Sequence, residues 1–178
     1  MKVFRLFSTS ALFLVLACST AWASEYDKFI GTYRGETVDI SNGKEYRRDL
    51  SVTIKKSDDG FTLEWVTTRI RADGSEKTKS YTIHFFPSGR GGIFSSAMKS
   101  NLFGGHEPLD PMKGDPYFWA HINGDTLTVN ALLINDDGGY EILTYDRTVT
   151  DKGLDLRFNR FSNGVAQREI NAILERVE

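Results

Sequence analysis

The chain has 178 residues, with 22 Lys and Arg against 24 Asp and Glu, and a formal net charge of −2 at pH 7. Its bases form neither a run nor a stripe, and this argues against nucleic-acid binding, which depends on clustered Lys and Arg. The composition therefore indicates a small molecule or another protein as the partner, rather than nucleic acid.

The first 23 residues are predicted to be a cleaved export signal. Two basic residues open the segment, an apolar run follows at 11–17, and "AWA", ending at Ala23, forms a small-x-small cleavage site. An uncleaved membrane anchor is the alternative, but a span needs about 20 apolar residues and this run is shorter. We therefore expect an exported protein, periplasmic or secreted, with no transmembrane segment in its mature chain (24–178).

The single cysteine, Cys18, leaves a second interpretation of this segment open. It stands in "VLACS", which is similar to the lipobox of bacterial lipoproteins, although Leu16 departs from the usual small or β-branched residue. Lipidation of Cys18 would anchor the protein on a membrane of the envelope, whereas cleavage after Ala23 would leave it unanchored. Cleavage after Ala23 leaves a chain without cysteine, of a length suited to one domain that folds without disulfides.

Beyond Ser24, tight-turn signals alternate with strand-like segments. Asn-Gly, Asp-Gly and related pairs supply the positive φ angles that hairpins require. Between them lie segments of roughly 8 to 12 residues, rich in Thr, Val, Ile, Tyr and Phe, that alternate with period two. We predict about ten antiparallel strands joined in sequence by short hairpins, beginning near Phe29, Glu45, Phe61, Ser75, Gly92, Pro116, Thr126, Tyr140, Leu154 and Val165.

These strands have one apolar face and one polar face, so the sheet must close into a barrel or fold over as a two-sheet sandwich. Sequential hairpins favour the barrel, because closure removes exposed strand edges. We therefore predict an all-β fold: a single antiparallel up-and-down barrel of about ten strands that occupies residues 24–178 as one domain.

A short resemblance agrees with this fold. The stretch "FIGTYRG" resembles the first strand of lipocalins and fatty-acid-binding proteins, with Phe29, Gly31 and Tyr33 at the matching positions and Tyr33 where tryptophan is usual. Arg176 is similar to the basic residue that these families place over that aromatic ring. The resemblance implies a calycin-type barrel. The whole chain also looks like one of the small exported proteins of Gram-negative bacteria.

Three arginines fall on the apolar face in the predicted register: Arg48, Arg69 and Arg160. A buried arginine is costly unless it is paired, and an acidic group of a ligand could be its partner. The resemblance to fatty-acid-binding proteins implies such capture of a carboxylate. The structural alternative is that these side chains reach water at strand ends or pair with Glu36, Asp146 or Glu169.

Aromatic residues are spread over several strands: Trp65, Tyr81, Phe85, Tyr117, Trp119, Tyr145 and Phe158. Ligand cavities are lined mostly by apolar and aromatic side chains, but aromatic residues also simply fill cores. On the first interpretation, the predicted ligand-binding residues are Arg48, Trp65, Arg69, Tyr81, Phe85, Trp119 and Phe158.

One connection is much longer than the others. Residues 100–115 contain two prolines and three glycines, and a loop of this length in a compact domain is often functional. We expect it to act as a portal or lid that includes His106, Leu109 and Met112.

The same loop carries the one cluster of residues that could support metal binding or acid–base chemistry: His106, Glu107, Asp110 and Asp115. No second histidine lies nearby in the sequence, so we predict no metal, no cofactor and no catalytic residue. The nucleophile elbow, the Walker loop and the dinucleotide fingerprint are all absent from the sequence.

Three functions remain. The first is an exported β-barrel that binds a small hydrophobic or amphipathic ligand without catalysis. The second is a structural or protein-interaction β-domain of the envelope, tethered if Cys18 is lipidated. The third is an enzyme that uses the loop around His106.

Overall fold

The computed structural model describes residues 24–41, 43–71, 73–96, 99–100, 106–107 and 109–177. The predicted export signal and Cys18 lie outside the described residues. In the described ranges, no helix has the length and apolar character needed to cross a membrane.

The described chain is almost entirely β-structure. One 3-10 turn (Asp27–Phe29) precedes the first strand, and a second (Pro111–Lys113) precedes β8. The strands are β1 (Gly31–Ser41), β2 (Lys44–Ser57), β3 (Gly60–Ile70), β4 (Glu76–Pro87), β5 (Ile93–Ser96), β6 (Lys99–Ser100), β7 (His106–Glu107), β8 (Tyr117–Asn123), β9 (Thr126–Ile134), β10 (Tyr140–Val149), β11 (Gly153–Ser162) and β12 (Val165–Arg176).

Ten of these strands form a closed antiparallel barrel in the order β1-β12-β11-β10-β9-β8-β5-β4-β3-β2, and β6 and β7 form a separate pair. Apart from the closing pair β1–β12, strands that are neighbours in the barrel follow one another in the sequence of barrel strands. The predicted up-and-down barrel is therefore confirmed, and the sandwich is not formed. All ten predicted strand starts lie within two residues of the observed ones. The β6–β7 pair, which lies in the predicted loop 100–115 except for Lys99, was not predicted, because two-residue strands are too short to show a period.

One end of the barrel, which we call the base, is packed solid. Phe61 stacks on Phe85 with ring centroids 5.1 Å apart and meets Phe94 edge-on at 5.2 Å. Tyr26, from the segment before β1, covers Phe61 at 5.2 Å. Aromatic pairs at these distances add to the stabilisation that burial itself provides. The hydrophobic core is therefore concentrated at the base rather than spread through the barrel.

The base is closed where β1 meets β12. The Tyr33 hydroxyl donates to the Phe29 carbonyl at 2.9 Å, and Arg176 donates to the Ile30 carbonyl at 2.7 Å. The Arg176 guanidinium lies 5.8 Å from the centre of the Tyr33 ring, within the range of a cation–π contact. This is the contact that the resemblance implied, and it joins the last strand to the first.

Among the described residues, the wall of the upper half is incomplete on one side. β5 pairs with β4 only through Phe85, Phe86 and Pro87, near the base. Among the described residues, the preceding part of β4 therefore pairs with β3 alone, and nearly all of it is exposed. β5 ends at Ser96 and β8 begins at Tyr117, and the end of the barrel opposite the base forms the mouth.

Candidate ligand-binding site

A cavity of about 420 Å³ occupies the upper half of the barrel, between the packed base and the mouth. Its volume lies within the range of small-molecule sites, which is about 300–1,000 Å³. Its apolar wall is formed by inward positions of several strands, among them Leu50, Trp65, Leu143, Phe158 and Ile170. The barrel is thus filled at one end and hollow at the other.

An aromatic band forms part of the wall. Trp65 stacks on Tyr81 at 5.1 Å and contacts Tyr145 at 5.4 Å, and Tyr145 contacts Phe158 at 4.8 Å. Each residue comes from a different strand (β3, β4, β10 and β11) and faces inward because side chains alternate along a strand. The structure therefore brings three predicted wall residues together, Trp65, Tyr81 and Phe158, and adds Tyr145.

The other two predicted wall residues lie elsewhere. Phe85 is fully buried in the base, where it packs against Phe61. Trp119 points away from the core, because it is next to Ala120 on β8 and the side chain of Ala120 is buried. Its ring centroid lies 6.1 Å from that of Tyr117. A shift of one residue moves a side chain to the other face of a strand. The run of bulky residues at the start of β8 concealed which of them point inward.

Near the mouth, two arginines converge on one carboxylate. Arg48 donates from Nε and Nη2 to the Oδ2 atom of Asp39, at 3.2 and 2.8 Å, and Arg168 donates to the same oxygen. Burial lowers the pKa of Arg48, and the positive charge of Arg69 lowers it further. The single carboxylate of Asp39 thus pairs with two guanidinium groups.

Arg69 adds a third cation to this group. It is the cross-strand partner of Arg48, and its guanidinium stacks over the Tyr46 ring at 3.4 Å. Its Nε atom is buried without a hydrogen-bond partner, and no described carboxylate forms an ion pair with it. We call Asp39, Arg48, Arg69 and Arg168 the rim cluster; three cations and one acid give it a net charge of +2.

Arg160 is paired, though not with an acid considered from the sequence. It forms an ion pair with Glu141 of β10. The sequence had suggested Glu36, Asp146 and Glu169 as partners for the inward arginines. These acids lie on the outer face of the barrel, where Glu36 and Asp146 are within ion-pair distance of Arg47 and Arg157. The observed partners, Asp39 and Glu141, are at inward positions of β1 and β10.

The floor of the cavity holds a residue that the sequence analysis missed. Arg147 lines the cavity with only 1% of its surface exposed. Its guanidinium carbon lies 5.6 Å from the Trp65 ring and 5.5 Å from the Tyr145 ring. Its Nη1 atom donates to the Tyr145 carbonyl at 3.5 Å, but its Nε atom has no hydrogen-bond partner, and no carboxylate among the described residues forms an ion pair with it. Burial lowers the pKa of Arg147 to about 10, and it remains a cation at neutral pH.

The neighbouring acid does not neutralise this cation directly. Asp146 projects from the other face of β10, where it accepts a hydrogen bond from Thr128 at 2.7 Å and lies 3.8 Å from Arg157. The alternation of Leu143, Tyr145 and Arg147 along β10 was the signal that would have placed Arg147 inward.

The predicted lid residues are only partly described. Leu109 is half-buried, Met112 is 79% exposed, and neither lines the cavity. The side chains of His106 and Glu107 lie outside the described residues, so their predicted roles stay predictions. In the part of the chain that the structure describes, no group of three or more His, Cys, Asp and Glu is placed to hold a metal ion.

Comparison with known proteins adds no family to this geometry. No model of a known protein family matches the chain, and no curated protein matches it significantly. The interpretation of the cavity therefore depends on its own chemistry.

Proposed function

We propose that this protein is an exported, non-catalytic β-barrel that binds a small amphipathic molecule carrying an acidic group. The acidic group contacts Arg147 at the cavity floor, and the apolar part lies against the aromatic band. The observation that carries the proposal is that Arg147 is a buried cation facing the cavity, without an acidic partner among the described residues. A buried charge without a partner costs several kcal/mol, and a ligand anion would supply the missing partner.

The charge of the cavity supports an anionic ligand. Its wall contains one acid, Glu141, and five cations: Arg48, Lys79, Arg147, Arg160 and Arg168. The whole chain has the opposite sign, with a net charge of −2. A cleft with low-dielectric walls and one sign of charge concentrates ligands of the opposite sign. An acidic protein with a cationic interior is suited to drawing anions into that interior.

The protonation states of Tyr145 and Arg147 at the cavity floor favour binding over acid–base catalysis. Burial raises the pKa of Tyr145 to about 12, so its hydroxyl stays protonated at neutral pH. Arg147 is also fully protonated there, since its pKa is about 10. Both groups can donate hydrogen bonds to an anion, but neither can accept a proton near pH 7, as a general base must.

A second candidate, a protein-interaction domain, has one observation in its favour. On the outer face, Tyr117, Leu132, Ile142 and Phe161 are successive cross-strand neighbours on β8 to β11 and form an apolar stripe. Apolar patches on a surface can mark interaction sites. A solid interior would have favoured this candidate, and the hollow upper half favours ligand binding instead.

The test is a fluorescence titration with a matched pair of compounds. Trp119→Phe leaves Trp65 as the one tryptophan of residues 24–178. In this variant we expect decanoate to change Trp65 emission and to bind at least about tenfold more tightly than decanol, because hydrogen bonds to charged groups contribute about 1.5–3 kcal/mol. Arg147→Met in the same background should reduce this difference. If no amphipathic acid changes the emission and native mass spectrometry finds no one-to-one complex, the proposal is refuted.

A further inference from the structure

We propose that the ligand has two acidic groups, one at each end of an apolar middle, and that the rim cluster binds the outer one. This inference rests on the proposed function, because it takes Arg147 as the site of the inner acid. It defines the ligand class as an elongated dianion, of which an α,ω-dicarboxylate is the simplest member.

The rim cluster has positive charge that its own acid does not balance. Asp39 uses one oxygen for both Arg48 and Arg168, and no described carboxylate pairs with Arg69. Arg69 also lies opposite Lys77 on β4 in the strand register. Like charges on directly opposite positions of neighbouring strands destabilise a sheet. A second anion at the mouth would relieve this repulsion on β2, β3 and β4 at once.

The level of Arg147 at the floor and the level of the rim cluster at the mouth are separated by the same number of residues on β3 and on β11. On β3, Arg69 lies four residues beyond Trp65, whose ring contacts Arg147. On β11, Arg160, the cross-strand partner of Arg168, lies four residues beyond Leu156, the partner of Arg147. Four residues span about 13 Å at roughly 3.3 Å per residue. Along the strands, the two arginine levels are therefore about 13 Å apart, and acids held between them would be somewhat closer, because barrel strands also tilt by roughly 35–45° from the axis.

The space between the two levels suits an apolar chain. The wall there is the aromatic band, together with aliphatic side chains such as Leu50 and Ile170. Arginine side chains extend toward the acids from both ends, which leaves about 10 Å between the two acids. An extended chain advances about 1.2 Å per bond, so this span corresponds to about eight bonds between the two carboxyl carbons, or a dicarboxylate of about nine to ten carbons.

The cavity volume is compatible with a ligand of this size, because about 420 Å³ lies within the range of small-molecule sites, about 300–1,000 Å³. A monoacid of the same length would fill the space but would leave one cationic position without an anion.

The test compares three ten-carbon compounds on the Trp119→Phe protein: decanedioate, decanoate and decyl phosphate. Decanedioate carries an acid at each end, whereas decyl phosphate carries its negative charge at one end only. Calorimetry and Trp65 fluorescence should show decanedioate binding at least about tenfold more tightly than either of the others. A series of dicarboxylates of increasing length should show tightest binding near ten carbons.

Variants at the mouth separate the two acid positions. Arg69→Gln breaks no ion pair and should reduce decanedioate affinity about tenfold, to near that of decanoate. The matched control is Arg90→Gln, in the exposed turn between β4 and β5 at the base, which should leave all affinities unchanged. If decanoate binds as tightly as decanedioate, or decyl phosphate does, the two-ended ligand is refuted while the proposed function stands. If none of the three compounds binds, the proposed function fails as well.

Discussion

The replacement of Arg147 by methionine is expected to make the protein more stable while it weakens acid binding. Methionine is flexible and apolar and keeps much of the volume of the arginine stem, so it can fill the floor of the cavity without a charge. Large gains from removing a residue that looks well packed are unusual, since most substitutions destabilise. A gain would identify Arg147 as a residue kept for a ligand rather than for the fold.

The size of the gain follows from the burial of the guanidinium. Its pKa falls from 12.5 to about 10, which means that keeping it charged inside costs about 3 kcal/mol. The cation–π contacts with Trp65 and Tyr145 offset part of this cost, by about 1–2 kcal/mol in total. We therefore expect Arg147→Met to raise the free energy of unfolding by about 1–2 kcal/mol, and Tm by roughly 3–6 °C for a domain of this size.

Urea denaturation followed by circular dichroism, together with a thermal melt, measures this gain. The folded pKa of Arg147 lies below the unfolded one, so its cost is fully present below about pH 10 and is relieved only as the pH rises from 10 toward 12.5. The difference between variant and wild type should accordingly be flat between about pH 5 and 9. A loss of more than about 2 kcal/mol in the variant would show that Arg147 holds the fold together, and the reasoning would be wrong.

Three further substitutions test other parts of the arrangement. Tyr145→Phe keeps the ring contacts but removes a protonated donor from the floor, so acid affinity should fall about five- to tenfold in a titration, with little change in Tm. Asp39→Asn leaves Arg48 and Arg168 without an acid, so the free energy of unfolding should fall by about 2–4 kcal/mol while the affinity for anions rises; a fall in both quantities would contradict this account. Phe61→Ala should cost about 3–5 kcal/mol because it opens the packed base, yet acid binding should persist wherever the variant is folded, as titration below its melting range would show.

The fold was predictable because the sequence carries strong local signals for it. Turns such as Asn123-Gly124 and Asn163-Gly164 place positive φ at the glycine, where no side chain opposes it, and they fix where hairpins reverse. Period-two alternation supplied the strands between them. The short β5 was also found, since Gly92, with φ of 68°, marks the turn before it. Local chemistry sufficed for every barrel strand.

The site was less predictable, because it depends on contacts between residues far apart in the chain. Alternation alone placed Arg48 inward, but the sharing of its partner Asp39 with Arg168, from the last strand, follows from barrel closure. The aromatic residues could be assigned to a face only where polar residues separated them, as around Trp65. In the run that contains Trp119 they could not, because Phe118 is an equally plausible inward residue until the register with β9 is known.

The unequal filling of the barrel has a consequence for how the protein can change over time. Residues that hold the chain together, such as Phe61 and Phe85, are at the base, while those that would recognise a ligand are in the other half, on the same strands. Substitutions in the upper half change the shape and charge of the cavity without opening the packed base. Under the proposed function, selection for a new ligand and selection for a stable fold would therefore act on largely separate positions, with Asp39 at the mouth as a position that serves both.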